Sequence, residues 1–137
     1  MRKRSQSREF ALQILYQMDI TGDTPEELLA VFWSVQEKPT EEQVKSFTAQ
    51  LVKGVADNLK SLDIKISAYA TNWQLKRMAV VDRNILRLSC FEMLFREDIP
   101  PKVSINEAVE LAKKYSGQEA GKFVNGVLDR VKAEKEK

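Results

Sequence analysis

Apolar residues recur along this chain at spacings of three and four, which gathers them on one face of a helix, and no stretch alternates with the period of two that a half-buried strand needs. The pattern predicts an all-α protein. From Ser5 to Ile20, Phe10, Ala11, Ile14, Leu15 and Met18 mark a first amphipathic helix, ended by Thr21-Gly22-Asp23. Thr24 caps a second, with Pro25 at its first position and Glu27 completing a capping box. Its inward stripe is Leu28, Val31, Phe32 and Val35, and Lys38-Pro39 breaks it. Thr40 with Gln43 opens a third helix, carried inward by Val44, Phe47, Leu51, Val55 and Leu59. A fourth uses Leu62, Ile64, Ile66 and Tyr69, after which Thr71-Asn72-Trp73-Gln74 reads as a turn or another cap. Trp33 and Trp73 are expected to be partial core members. Met78–Phe95 is apolar nearly all round and is expected to be the buried central helix, with Asp82, Arg83, Arg87 and Glu92 as its one wet strip. Ile99-Pro100-Pro101 stops it, because proline removes a donor and restricts the residue before it.

The stretch Val103–Asp129 predicts two helices and the corner between them. Ser104 with Glu107 forms a capping box for the first, whose apolar face is Ile105, Ala108, Val109, Ala112 and Tyr115. Ser116-Gly117 ends it, since glycine accepts the left-handed conformation at little cost. The second begins near Gln118, turns Phe123, Val124, Val127, Leu128 and Val131 inward, and leaves Glu119, Lys122, Asn125 and Asp129 outside. Gly126 sits within that helix, where it costs about 1 kcal/mol relative to alanine, so a close approach to the backbone is expected there. The tail from Lys132 to Lys137 alternates charge and reads as a frayed, solvated end.

Composition narrows the chemistry. At 137 residues the chain is expected to be a single domain, 1–137, in two helical halves, 1–72 and 73–137, large enough to fold without staples. The lone Cys90 lies in an apolar run and reads as a small buried hydrophobe in a reducing compartment. Histidine is absent altogether, which removes the commonest general base and metal ligand. With no phosphate-binding glycine loop and no metal-ligand spacing, no catalytic residue, metal site or cofactor is assigned, and a non-enzymatic role is expected. No run approaches the roughly 20 apolar residues of a membrane span, and no signal-peptide core is present, so a soluble, cytoplasmic protein is expected.

The net charge of +2 conceals segregation. Residues 1–8 carry Arg2, Lys3, Arg4 and Arg8 with no acid, whereas residues 19–44 carry seven acids against Lys38. The basic stretch has two readings: a solvated start without function, or a phosphate-binding arm whose arginine forks contact backbone oxygens. Lys113, Lys114 and Lys122 are the further cations that would extend such a site, and Tyr16 and Phe123 are available for base stacking if exposed. The lysines and Asn125 form a candidate binding rim.

Four segments then carry a resemblance. These are Arg8-Glu9 followed by Ala11-Leu12-Gln13-Ile14-Leu15-Tyr16; Val81-Asp82-Arg83-Asn84-Ile85-Leu86-Arg87; Pro101-Lys102-Val103-Ser104-Ile105-Asn106-Glu107-Ala108; and Lys122-Phe123-Val124-Asn125-Gly126-Val127-Leu128-Asp129. In these the chain resembles the NusB family of bacterial transcription antitermination factors over essentially its full length, the last two motifs being specific in order and spacing. The resemblance implies about seven helices in two packed subdomains. It also implies binding to boxA-type RNA of nascent ribosomal transcripts jointly with the ribosomal protein NusE, and indirectly with other Nus factors and RNA polymerase. No cofactor is implied. The family's arginine-rich N-terminus falls on Arg2, Lys3, Arg4 and Arg8; Ser5, Gln6 and Ser7 stand where its richest forms have further arginine, which implies weaker RNA binding or more reliance on NusE. The NusE-facing surface falls on Tyr16, Asp82 and Glu119. A carboxylate at Asp82 suits a basic partner, while spacing equally allows an internal pair with Arg83 or Arg87.

Two other classes remain in view. The resemblance extends to the RNA-binding domain of ribosomal RNA cytosine methyltransferases, which need a further cofactor-binding domain, so the length of 137 residues is expected to disfavour this class. A homo-oligomeric helical module, such as a homodimer, is the third.

Overall fold

The computed structural model describes residues 2–70 and 74–136. Among them are seven α-helices and no strand: α1 (Lys3–Thr21), α2 (Pro25–Ser34), α3 (Glu42–Asp57), α4 (Leu59–Tyr69), α5 (Val80–Phe95), α6 (Pro101–Ser116) and α7 (Gln118–Lys135), with a single 3-10 turn at Leu75–Arg77. The turn expected at Thr71-Asn72-Trp73 and the core role of Trp73 lie outside the described residues. The chain divides into two compact units, 1–57 and 58–137. The division falls before α4 rather than at residue 72, because α4 packs on α5 and α7.

In the first unit α1 lies along α3, and α2 packs on both. α1 starts at Lys3, two residues before the predicted Ser5, and so carries the basic residues on an ordered helix. It ends at Gly22, whose φ of 76° suits glycine and whose N–H bonds the Met18 carbonyl at 2.9 Å. Thr24 caps α2 as predicted, its hydroxyl accepting from the Glu27 N–H at 3.2 Å. The inward stripe of α2 is different: Leu28 and Leu29 are buried, whereas Val31 and Val35 are 58% and 67% exposed. The ten-residue helix buries only the adjacent Leu28 and Leu29, while Phe32 and Trp33 join Phe10 in an edge-to-face cluster with centroids 5.0 to 5.8 Å apart. Thr40 does not cap α3, which starts at Glu42 with the Glu41 carbonyl accepting from Val44 and Lys45. α3 then buries Val44, Phe47, Leu51 and Val55 as the spacing requires, and Leu59 belongs to α4. In α4, Leu62 and Ile66 are buried but Ile64 is exposed, since it lies two positions from each and hence on the opposite side of the helix.

The second unit is built around α5, which touches α4, α6 and α7. It is buried from Asn84 to Met93. The expected wet strip is corrected at two positions, because Arg87 and Glu92 are buried too. Arg87 is accommodated by a two-pronged pair with Asp63 of α4, at 2.8 and 2.9 Å, and a third bond donated to the side-chain Oδ1 of Asn84 at 3.1 Å. Ser104 is no cap either: Pro101 supplies the start of α6, and Ser104 lies in the core with its hydroxyl 2.8 Å from that of Ser89. The most extensive pairing is α6 with α7, joined at Gly117, whose φ is 103°. The C-terminal end of α7 is held rather than frayed: Glu134 pairs with Lys65 at 2.6 Å, and Lys135 donates to the Met93 carbonyl.

Candidate nucleic-acid interface

At the start of α1, Ser7 is fully buried, and its hydroxyl donates to the Val44 carbonyl of α3 at 3.0 Å. Thr48 of α3 reaches back toward the Ser7 carbonyl, so polar groups stitch these helices along their first turns. Ser7 is therefore a packing residue rather than the site of a missing cation, because an arginine side chain would not fit in a fully buried helix contact.

This register fixes the basic residues around Ser7. Arg4 and Arg8, one turn apart, both lie over the Phe47 ring, with guanidinium carbons 4.4 and 5.7 Å from its centroid. Arg8 is only 4% exposed and Arg4 is exposed, so the pair forms a ladder from the helix contact outward. The spacing of Phe47 predicts a core residue alone, and no local pattern ties it to the arginines. Lys3 is neutralised by Glu41 at 3.0 Å and bonds the Gln43 side chain at 3.0 Å. Arg2, at the helix cap, is exposed.

In the second unit Lys113 and Lys114 lie in the last turn of α6, where cations favourably oppose the helix dipole. Lys113 faces Glu110 at 3.7 Å, and the Lys114 ammonium lies 5.5 Å from the centre of the Tyr115 ring. α6 packs tightly on α7 at Gly121, which is buried; a Cβ there would stand 3.0 Å from Cγ of Lys113. The close approach expected at Gly126 is absent within the unit: Gly126 is exposed and a Cβ there would meet nothing within 4 Å. Lys122 is exposed and 3.4 Å from Glu119. Asn125 is exposed, and its amide makes no hydrogen bond among the described residues. Phe123 is half-buried, which leaves it a partial platform at most.

The residues expected to face a protein partner are likewise divided. Tyr16 of α1 is 39% exposed, and Glu119 lies exposed in the first turn of α7. Asp82 occupies the first turn of α5, where a carboxylate favours the positive helix end. Its Oδ1 is buried without a hydrogen-bond partner. The internal pair that spacing allowed is not formed, because Arg87 is turned to Asp63 and Arg83 donates to the Leu75 and Lys76 carbonyls. Burial pushes the Cys90 thiol up to about 12, as expected of an inert core thiol. No cluster of potential metal ligands occurs among the described residues, and no helix of the described chain is long and apolar enough to cross a membrane.

Comparison with known proteins identifies this scaffold. The NusB family model matches residues 5–133. A transcription antitermination protein NusB of Anaeromyxobacter dehalogenans is 50% identical over 129 residues, covering 94% of this chain and 89% of that protein. The chain belongs to the NusB family. Among solved structures, T. maritima NusB superposes with a TM-score of 0.86 at 36% identity, covering 98% of this chain and 92% of that one. A chain from a crystal structure of antitermination factors NusB and NusE in complex with dsRNA gives a TM-score of 0.87 at 31% identity, with 97% and 98% covered. Membership in the NusB family thus spans both units and all seven helices.

Proposed function

We propose that this chain is a transcription antitermination factor that binds boxA-type RNA of nascent ribosomal transcripts together with the ribosomal protein NusE, in a cytoplasmic complex acting on RNA polymerase through other Nus factors. The observation that carries the reading is the match along the whole chain to a structure of NusB with NusE and dsRNA. The Arg4 and Arg8 ladder supports it, because Phe47 holds two guanidinium groups in place and so lowers the entropy lost on gripping phosphates. Arg2 and Lys3 are the outer RNA contacts of the first unit, and Lys113, Lys114, Lys122, Phe123 and Asn125, on α6 and α7, are the RNA contacts of the second. Tyr16, Asp82 and Glu119 are the NusE contacts. The Asp82 carboxylate forms no pair with Arg83 or Arg87, which leaves its charge for a basic partner at the start of α5.

RNA binding measured across a salt series, with NusE present, tests the arm. Arg4→Ala/Arg8→Ala is expected to weaken binding to a single-stranded boxA oligonucleotide by about tenfold or more, and to lower the salt slope by about 1.4. Unchanged affinity removes the arm from the site, and a duplex bound more tightly than the single strand replaces boxA-type single strands as the ligand. In calorimetry, Asp82→Lys is expected to weaken NusE binding, and an unaltered isotherm would remove Asp82 from that surface.

A further inference from the structure

Gly126 is an interior position of α7, nine residues before the end of an uninterrupted 18-residue helix. Glycine there works against the helix, because it gives up more backbone freedom on folding than any other residue. The ordinary compensation, a neighbour packed so closely that a Cβ would not fit, operates at Gly121 and not at Gly126, where the space is open. No positive φ demands glycine either, since that conformation occurs at Gly22 and Gly117. The backbone at Gly126 is thus bare, exposed and unexplained by the fold around it.

The surroundings fit a ligand. Lys122 lies one turn before Gly126 on the same exposed face, Asn125 beside it, and Asp129 one turn after. The Asn125 amide and the Asp129 carboxylate have no hydrogen bond or ion pair among the described residues, and Lys122 meets only Glu119, at 3.4 Å. Acids at both ends of the face exclude a run of phosphates along it. What they leave is room for one nucleotide, entering by its neutral parts.

We infer that Gly126 opens a seat for a single unpaired nucleotide on the outer face of α7. The ribose and base edge rest on the bare helix backbone, the Asn125 amide bonds the base edge, and Lys122 takes the adjoining phosphate. This rests on the RNA reading above and adds to it a residue that has no side chain to offer: Gly126 positions RNA by absence, and a methyl group would lift the nucleotide off the helix.

The test is Gly126→Ala in the full chain, followed by thermal melting and by fluorescence anisotropy with a single-stranded boxA oligonucleotide in the presence of NusE. The expected result is a melting temperature raised by about 4 °C with RNA affinity lowered about tenfold, an opposition that damage to the fold cannot produce. The salt slope should not change, because no phosphate contact is removed. Gly126→Leu should weaken binding further while staying folded by circular dichroism. If the wild type binds and Gly126→Ala binds equally well, the seat is overturned while the RNA function stands. If Gly126→Ala loses NusE affinity in calorimetry without RNA and keeps RNA affinity, the face belongs to a protein and the inference is overturned. A wild type that binds no RNA with NusE present overturns the function and this inference together.

Discussion

The start of α1 and the α6–α7 corner are both basic, yet their cations are held in different ways. Arg4 and Arg8 are laid against Phe47, and Arg8 is almost buried by the packing of α1 on α3. Lys113 and Lys122 instead make only glancing pairs with acids one turn away, at 3.7 and 3.4 Å, and stay in solvent. Exposed pairs of that kind contribute about 0.5 kcal/mol or less, whereas a desolvated cation over an aromatic ring contributes up to about 2 kcal/mol. Fold and candidate site are therefore one structure in the first region and separable in the second. Arginine suits the first because its planar guanidinium stacks; lysine suits the second because a mobile ammonium can follow a ligand.

Substitutions can break that contrast. The largest effect is expected inside the second region, from Gly121→Val, which places a branched side chain against the stem of Lys113 and should cost about 2 to 3 kcal/mol in urea unfolding. Next is Arg8→Ala, expected to lower stability by about 2 kcal/mol through lost ring contact and lost packing of its stem. A change within 0.5 kcal/mol would show that the arginine ladder is as detachable as the corner lysines. Smallest is Lys113→Ala/Lys114→Ala, which should leave stability within about 0.5 kcal/mol while lowering the salt slope of RNA binding by about 1.4. A stability loss as large as that of Arg8→Ala would erase the distinction from the other side.

Helix number and most inward faces were legible because burial of a stripe at period 3.6 leaves a direct trace in sequence. The caps were legible only in part: Thr24 bonds Glu27, whereas Ser104 follows the same rule on paper and is drawn into the core beside Ser89 because Pro101 has already begun the helix. The basic residues of the candidate site could be named, but not how each is held. Pairs such as Arg87 with Asp63 or Arg8 with Phe47 span 24 and 39 positions, and no local pattern encodes them.

The sequence by itself determined an all-α chain without a histidine for acid–base or metal chemistry, with its charge segregated and its motifs those of the NusB family. These are properties of composition and local spacing. Tertiary structure alone decided that Ser7 is core, that Arg4 and Arg8 share one ring, that Asp82 keeps a buried oxygen unpaired, and that Gly121 rather than Gly126 marks the close helix approach. The reason is the same in each case. A helix face states which residues turn inward, but what a side chain meets there depends on another helix, whose placement follows from all the faces packed at once.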